Sequence, residues 1–379
     1  MNDSVTQTPI STSKRLQGLL INVPHLDRPG GVREIYKILD LEKHGIGQYF
    51  FIHPKPERET AKWQVVIRLI QRYLKFYKRV GEMEMVLINP SLGWKSFLRD
   101  AMFAYITQLR GKKLVVFWHG WLEEYERKIK SSWLLRACFS RTFANADGLI
   151  VLGTIFKDKL TQLIPSNEIP TLHFLNIADD TFMKTFDLEK ELDRRERKEK
   201  FTMLFLARMV KEKGVYIAVE AFRQAAREMP DRELELIIAG DGSELGNVKT
   251  YVKENQIPNI QFPGFVRGTV KHETLAKADL FLFPTYYPEG LPLSVLEAML
   301  YGMPVITRPV GGLPDILNNE EHGYIIDSKD PADFVEPIKN LVRDRELYRR
   351  ICRNNHEFAT NNVINAKATQ SLSNFLETI

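Results

Sequence analysis

Cysteine is scarce: the 379 residues contain two, Cys138 and Cys352, far apart and at no metal-binding or redox spacing. A disulfide framework is thereby excluded, and both read as buried thiols in a reducing compartment. Long apolar runs are also missing, none approaching the about eighteen residues that a membrane-spanning helix needs. The opening MNDSVTQTPISTSKR lacks the apolar core of a signal peptide and does not read as a transit peptide, so a cytosolic protein is expected. Disorder is not the default either, because apolar content of 44% and charged content of 27% are near globular averages. A chain of this length suits two domains of ordinary size.

Charge is present in unequal halves. Residues 1–180 carry 26 Lys+Arg against 18 Asp+Glu, and residues 181–379 carry 27 against 30, so +8 faces −3 within a total of +5. Such asymmetry points to an anionic partner for the first half, nucleic acid or an anionic membrane.

Apolar strands alternate with helical patterns along the whole chain. RLQGLLINVPHLDRPGGVREIYKILDLEKHG reads as a short buried strand, a Gly-containing turn and an amphipathic helix ending near Gly45; QYFFIH, MVLIN, KLVVFWHG and GLIVLG follow in the first half, and FTMLFLAR, LELIIAGDG, IQFPGF, LFLFPTYY, MPVITRP and GYIID punctuate the second. Repeated β–α alternation predicts parallel sheets covered by helices on both faces. Two doubly wound α/β domains follow, 1–180 and 201–359, with the segment 360–379 packing back on the first. Between them the charged run 181–200, which includes DLEKELDRRERKEK, reads as an exposed linker or surface helix.

In doubly wound domains ligands bind beyond the carboxyl ends of the strands. Arg208 and Lys213 follow the strand FTMLFLA (201–207) directly, and two cations there suit a diphosphate, which Arg can fork and Lys can meet as a point charge. A solvated basic loop is the plain alternative for that segment alone. LFLFPTYY runs into Pro288-Glu289-Gly290-Leu291-Pro292, with a helix opening near Leu293. A proline loses nothing at a helix start, and the free N–H groups behind it form an anion site. Glu297, one turn in, can accept from a vicinal diol such as a ribose, and Glu289 from hydroxyls of a sugar beyond the diphosphate. Diol, diphosphate and sugar together describe a nucleotide sugar.

The spacing of Glu289 and Glu297, the pair Arg208 and Lys213, and the segments IIAGDG, FPGFV and PVGGLPDIL resemble the donor domain of family 4 glycosyltransferases, retaining enzymes of GT-B fold. The resemblance implies two Rossmann-like doubly wound domains facing across a cleft. It implies that Arg208 and Lys213 hold the donor diphosphate, Glu297 the ribose and Glu289 the transferred sugar. The backbone of Gly290, Leu291, Pro292 and Leu293 helps, and the segment around Val266 borders the base. In the first half, Gly30 and Gly31 of RPGGV match the family's glycine loop, which opens a helix against the donor phosphates. His119, at the end of KLVVFWHG, matches a histidine near the donor sugar. Catalytic roles are expected for His119, Arg208, Lys213 and Glu289. Gly153-Thr154 and NIAD, Asn176 to Asp179, depart from the family's usual Ser-Glu and NGVD.

No acidic pair of Asp-x-Asp type follows a strand, so no metal and no cofactor are expected. The resemblance implies a UDP- or GDP-linked donor and, as acceptor, a glycan or lipid-linked glycan of cell-surface polysaccharide or glycolipid synthesis. KWQVVIRLIQRYLKFYKR (62–79) reads as a basic helix with Trp63, Ile67, Ile70, Leu74 and Tyr77 roughly on one face, and Lys62, Arg68, Arg72, Lys75, Lys78 and Arg79 around them. It suits an anionic interface on the cytoplasmic side of a bacterial inner membrane, or equally an ordinary packed helix. Two other readings stand beside the enzyme. One is a degenerate carbohydrate- or nucleotide-binding subunit; the other is a nucleic-acid binder, which the sequence disfavours because no recognisable binding motif joins the basic residues.

Overall fold

The structure, a computed structural model, describes residues 14–27, 30–52, 62–164 and 169–379. It divides into two units, residues 1–175 with 366–379, and residues 176–365.

In the first unit, β1 (Leu19–Val23), β2 (Gln48–Phe51), β3 (Met85–Ile88), β4 (Lys113–Trp118), β5 (Gly148–Val151) and β6 (Thr171–His173) form one sheet in the order β2-β1-β3-β4-β5-β6. Every pairing is parallel. All residues of β1, β3 and β5 are buried, as continuous apolar runs in a sheet covered on both faces should be. The C-terminal helix Asn365–Thr378 belongs almost wholly to this unit, where Phe375 and Ile379 close on Gly148.

The second unit holds β7 (Lys200–Leu206), β8 (Glu233–Ala239), β9 (Ile260–Gly264), β10 (Leu280–Phe283), β11 (Val305–Thr307) and β12 (Gly323–Ile325) in the order β12-β11-β10-β7-β8-β9, again all parallel. In both sheets the strand order reverses at one place, between β1 and β3 and between β7 and β10. Open α/β sheets bind ligands there, because loops from neighbouring strands diverge at their carboxyl ends.

Of the two readings of the charged segment before β7, exposed linker or surface helix, the structure has the helix. The second unit begins at Asn176, and Leu188–Arg197 is a packed helix within it, capped by the Asp187 side chain. Leu192 and Arg195 are buried. Arg195 reaches the Tyr301 carbonyl at 2.9 Å and Glu191 at 3.1 Å, while Arg349 and Arg353 of the helix Arg345–Asn362 pair with Glu189 and Glu196 at 2.8–2.9 Å. A nearly all-charged helix packs here because the neighbouring helix supplies the complementary charges. Cys352 is buried as expected; Cys138 is only half-buried.

Candidate functional site in the second unit

The loops after β7 and β10 meet at the switch point. Lys213 forms an ion pair with Glu289, and both side chains are largely covered. Thr285 Oγ1 lies 3.3 Å from the same carboxylate oxygen. The Tyr287 ring underlies both cations, 5.4 Å from the Arg208 guanidinium and 4.9 Å from the Lys213 ammonium. Arg208 itself is exposed. An aromatic face stacked on Arg limits its rotamers without consuming its N–H donors.

Glycines hold these loops by letting backbone approach backbone. Gly214 (φ 83), closing the short turn Lys211–Lys213, lies against the Pro284 carbonyl, where a Cβ would come within 2.1 Å. Gly240 (φ 138) and Gly242 (φ 153) of AGDG lie against the carbonyls of Ala207 and Met209, on either side of Arg208. Gly311 (φ 56) abuts the Gly290 carbonyl, which also accepts from the Gly312 N–H at 2.8 Å. From a third direction the Asn176 side chain donates to the Leu291 carbonyl at 2.8 Å. Pro292 then caps the helix Leu293–Leu300. Gly290, Leu291 and Pro292 are buried and Leu293 is half-buried.

Glu297 is buried in that helix and faces a second set of groups. Its Oε1 accepts from Lys271 Nζ at 2.8 Å, and Lys271 also lies 3.5 Å from Asp179. His272 bridges Asp179 Oδ2 at 3.3 Å and the Tyr301 hydroxyl at 2.8 Å, with Phe182 over its ring at 4.0 Å. Burial pushes the Glu297 carboxyl up while the Lys271 ammonium opposes the shift. Burial likewise pulls Lys271 down, but Glu297 and Asp179 more than compensate and keep it charged. The His272 hydrogen bond, reinforced by Thr181 and Lys271, holds Asp179 well below the usual carboxylate range.

Reading the sequence alone missed Lys271, Asp179 as the partner of Lys271, His272 and Tyr287. Asp179 was within reach, since NIAD stood out as a departure; nothing local marked Lys271. Val266 lies in the segment after β9. Its side chain is buried, and the exposed apolar group of that segment is the preceding Phe265.

Gly30, Gly31 and His119 belong to the first unit. Gly30 (φ 153) precedes the helix Gly31–Leu39, and a Cβ on either glycine would meet nothing within 4 Å, so the backbone there is open to a close approach. His119 follows β4, with Nε2 2.7 Å from Asn89 Oδ1. Asn89, just past β3, also accepts from the Tyr36 hydroxyl and donates to the Asn22 carbonyl. His119 Nδ1 is buried with no hydrogen-bond partner among the described residues, the ring lies 3.9 Å from Phe117, and burial lowers its pKa from 6.5 to about 3. The imidazole is therefore neutral at physiological pH. Among the described residues no group of three or more His, Cys, Asp or Glu is placed to hold a metal ion, and no helix is long and apolar enough to cross a membrane.

Residues 188–358 match the family model described as glycosyl transferases group 1. The D-inositol 3-phosphate glycosyltransferase of Corynebacterium kroppenstedtii is 29% identical over 226 residues, 57% of this chain and 49% of that one. The N-acetyl-alpha-D-glucosaminyl L-malate synthase of Bacillus anthracis is 28% identical over 191 residues, 49% of this chain and 48% of that one. The chain thus spans about half the length of these curated relatives. HepE of Anabaena, solved in complex with UDP and glucose, superposes with a TM-score of 0.70 over 96% of this chain and 100% of that one at 17% identity. The fold is that of the GT-B glycosyltransferases, two Rossmann-like doubly wound α/β units.

Proposed function

We propose that the protein is a retaining, metal-independent glycosyltransferase of family 4, moving a sugar from a UDP- or GDP-linked donor to a hydroxyl of a glycan or lipid-linked glycan. The observation that carries this reading is the convergence of Arg208, Lys213 and Glu289 on the β7 and β10 loops, with Glu297 one helical turn behind. The group 1 match over residues 188–358 supports it, as do the UDP and glucose bound to the Anabaena neighbour.

The departing nucleoside diphosphate needs positive potential already in place. Arg208 forks its oxygens and Lys213 meets them as a point charge. A diphosphate reaching Lys213 competes with Glu289 for the ammonium, which releases the Glu289 carboxylate to the sugar hydroxyls. Glu297, held by Lys271 through one oxygen, offers the other to the ribose diol. In the first unit, Gly30 and Gly31 leave backbone N–H groups open to an anion. The acceptor hydroxyl attacks the face that the diphosphate leaves, and a donor phosphate oxygen takes its proton. His119 of the first unit is neutral through burial, which suits a positioning residue and not an obligatory base.

Synthesis of bacterial surface polysaccharide or glycolipid is the setting this chemistry fits, with the protein peripheral on an anionic membrane through the basic helix Lys62–Val80. The test is release of nucleoside diphosphate from UDP- and GDP-sugars by the purified chain, with transfer to added oligosaccharide or lipid-linked acceptors. Turnover lost in Arg208→Ala supports the reading. Binding of nucleotide without any donor cleavage or transfer would instead mark a degenerate carbohydrate-binding subunit.

A further inference from the structure

Two neighbouring helices of the first unit turn rows of apolar side chains outward. On Lys62–Val80 the inward face is Tyr73, Phe76 and Val80, with Tyr73 and Phe76 packed on Phe103 at 5.0 and 4.8 Å. Ile67, Ile70, Leu74 and Tyr77 are exposed. On Trp94–Leu109 the residues Trp94, Leu98, Met102, Tyr105 and Leu109, three or four apart, are all exposed, between 43% and 62%. The Tyr73 hydroxyl bonds the Arg99 carbonyl, and the Arg110 guanidinium lies 4.7 Å over the Tyr77 ring, so the helices run side by side. A third helix, Trp133–Thr142, packs on the second through Phe139 against Phe97 and through the Gln108 amide donating to the Thr142 carbonyl. Its first two residues, Trp133 and Leu134, are 74% and 60% exposed. Monomeric soluble proteins scatter such residues singly, whereas contiguous rows mark an interaction surface.

Charge selects the occupant. The first helix contains Lys62, Arg68, Arg72, Lys75, Lys78 and Arg79 and no acid; the one acid of the second, Asp100, is buried against Arg99 at 2.8 Å. A second copy would set like-charged helices against each other across a two-fold axis, which opposes self-pairing. An anionic bilayer offers both an opposite charge and an apolar interior, with an interface that favours Trp and Tyr. We infer that this face docks on anionic lipid, with Trp94, Leu98, Met102, Leu109, Trp133 and Leu134 entering below the headgroups and the cations of the basic helix lying over the phosphates. The inference rests on the membrane location proposed above and adds insertion to what charge alone supplies.

The test uses the full chain with vesicles of phosphatidylcholine alone or mixed with phosphatidylglycerol, read by co-sedimentation and by tryptophan emission. Wild type should bind the mixed vesicles only, with a blue shift that Trp94→Phe/Trp133→Phe diminishes. Leu98→Gln/Met102→Gln/Leu109→Gln should lower partitioning at least about tenfold, while nucleoside diphosphate still raises the melting point of the variant as in wild type. Arg72→Gln/Lys75→Gln/Lys78→Gln should remove the salt-sensitive part. Equal binding by the apolar variant and wild type overturns insertion and leaves electrostatic attachment standing. No vesicle binding by wild type overturns both, and a wild-type dimer that the apolar variant dissociates would assign the face to self-association.

Discussion

Glu297 is an acid in a helix of otherwise mostly apolar residues, and its environment explains how it is tolerated. Its charge is matched by Lys271 at 2.8 Å, with Asp179 and His272 completing the set. Removing one partner of a buried pair strands the other, so Lys271→Met should cost up to about 3–5 kcal/mol of stability. Glu297→Gln added to it should recover part of that loss. Urea denaturation of the two single variants and the double variant checks this, and strictly additive losses would contradict the pairing. For binding, Glu297→Gln should weaken nucleoside diphosphate affinity by roughly 1.5–3 kcal/mol, the contribution of a hydrogen bond to a charged group. His119 makes a prediction in pH. Its pKa falls from 6.5 to about 3 on folding, so the native state disfavours a proton that the unfolded chain accepts. Stability from this source is complete above pH 6.5 and is lost as pH falls toward 3. His119→Gln should therefore be less acid-sensitive than wild type in that window, measured by denaturation at each pH. At this scale local pattern placed Arg208, Lys213 and Glu289 on loops after strands and Glu297 one turn into its helix, as the structure has them. Lys271 was not legible, since its partners lie 26 and 92 residues away and no local pattern signals them.

The switch-point loops depend on close backbone approach. A Cβ on Gly311 would fall 2.0 Å from the Gly290 carbonyl, at a φ of 56 that side chains disfavour. Gly311→Ala should destabilise by more than about 1 kcal/mol and displace Glu289, lowering turnover more than a neutral loop change would. PVGG belongs to a family motif, yet nothing in its composition says that it braces a loop about twenty residues earlier. The helix Leu188–Arg197 carries the opposite lesson. Composition allowed an exposed linker or a surface helix and gave no sign of an anchored one, whereas Arg195 is buried on the Tyr301 carbonyl and Glu191. Arg195→Ala should cost several kcal/mol, on the order of 3–5, in chemical denaturation; a loss under about 0.5 kcal/mol would show that the Arg195 contacts do not anchor the helix. Hydrophobic periodicity detects helices that pack by apolar faces and is blind to one that packs through ion pairs.

For the whole molecule, strand alternation made the parallel sheets and their repetition legible, but strand order was not. Order depends on which strands pair at a distance, and it is order that puts the β7 and β10 loops at the switch point. The proposed chemistry draws its charge stabilisation from Arg208, Lys213 and backbone N–H groups, so turnover should persist in excess chelator. Strict dependence on magnesium or manganese would reveal a site that the described residues do not show. The central claim is that the second unit grips a nucleoside diphosphate through Arg208, Lys213 and Glu297. Isothermal titration of UDP and GDP into wild type, Arg208→Ala and Glu297→Gln tests it most directly. The account predicts saturable one-site binding of at least one of the two nucleotides, weakened about tenfold or more in each variant. Heats for neither nucleotide, or equal affinity in all three proteins, would contradict it.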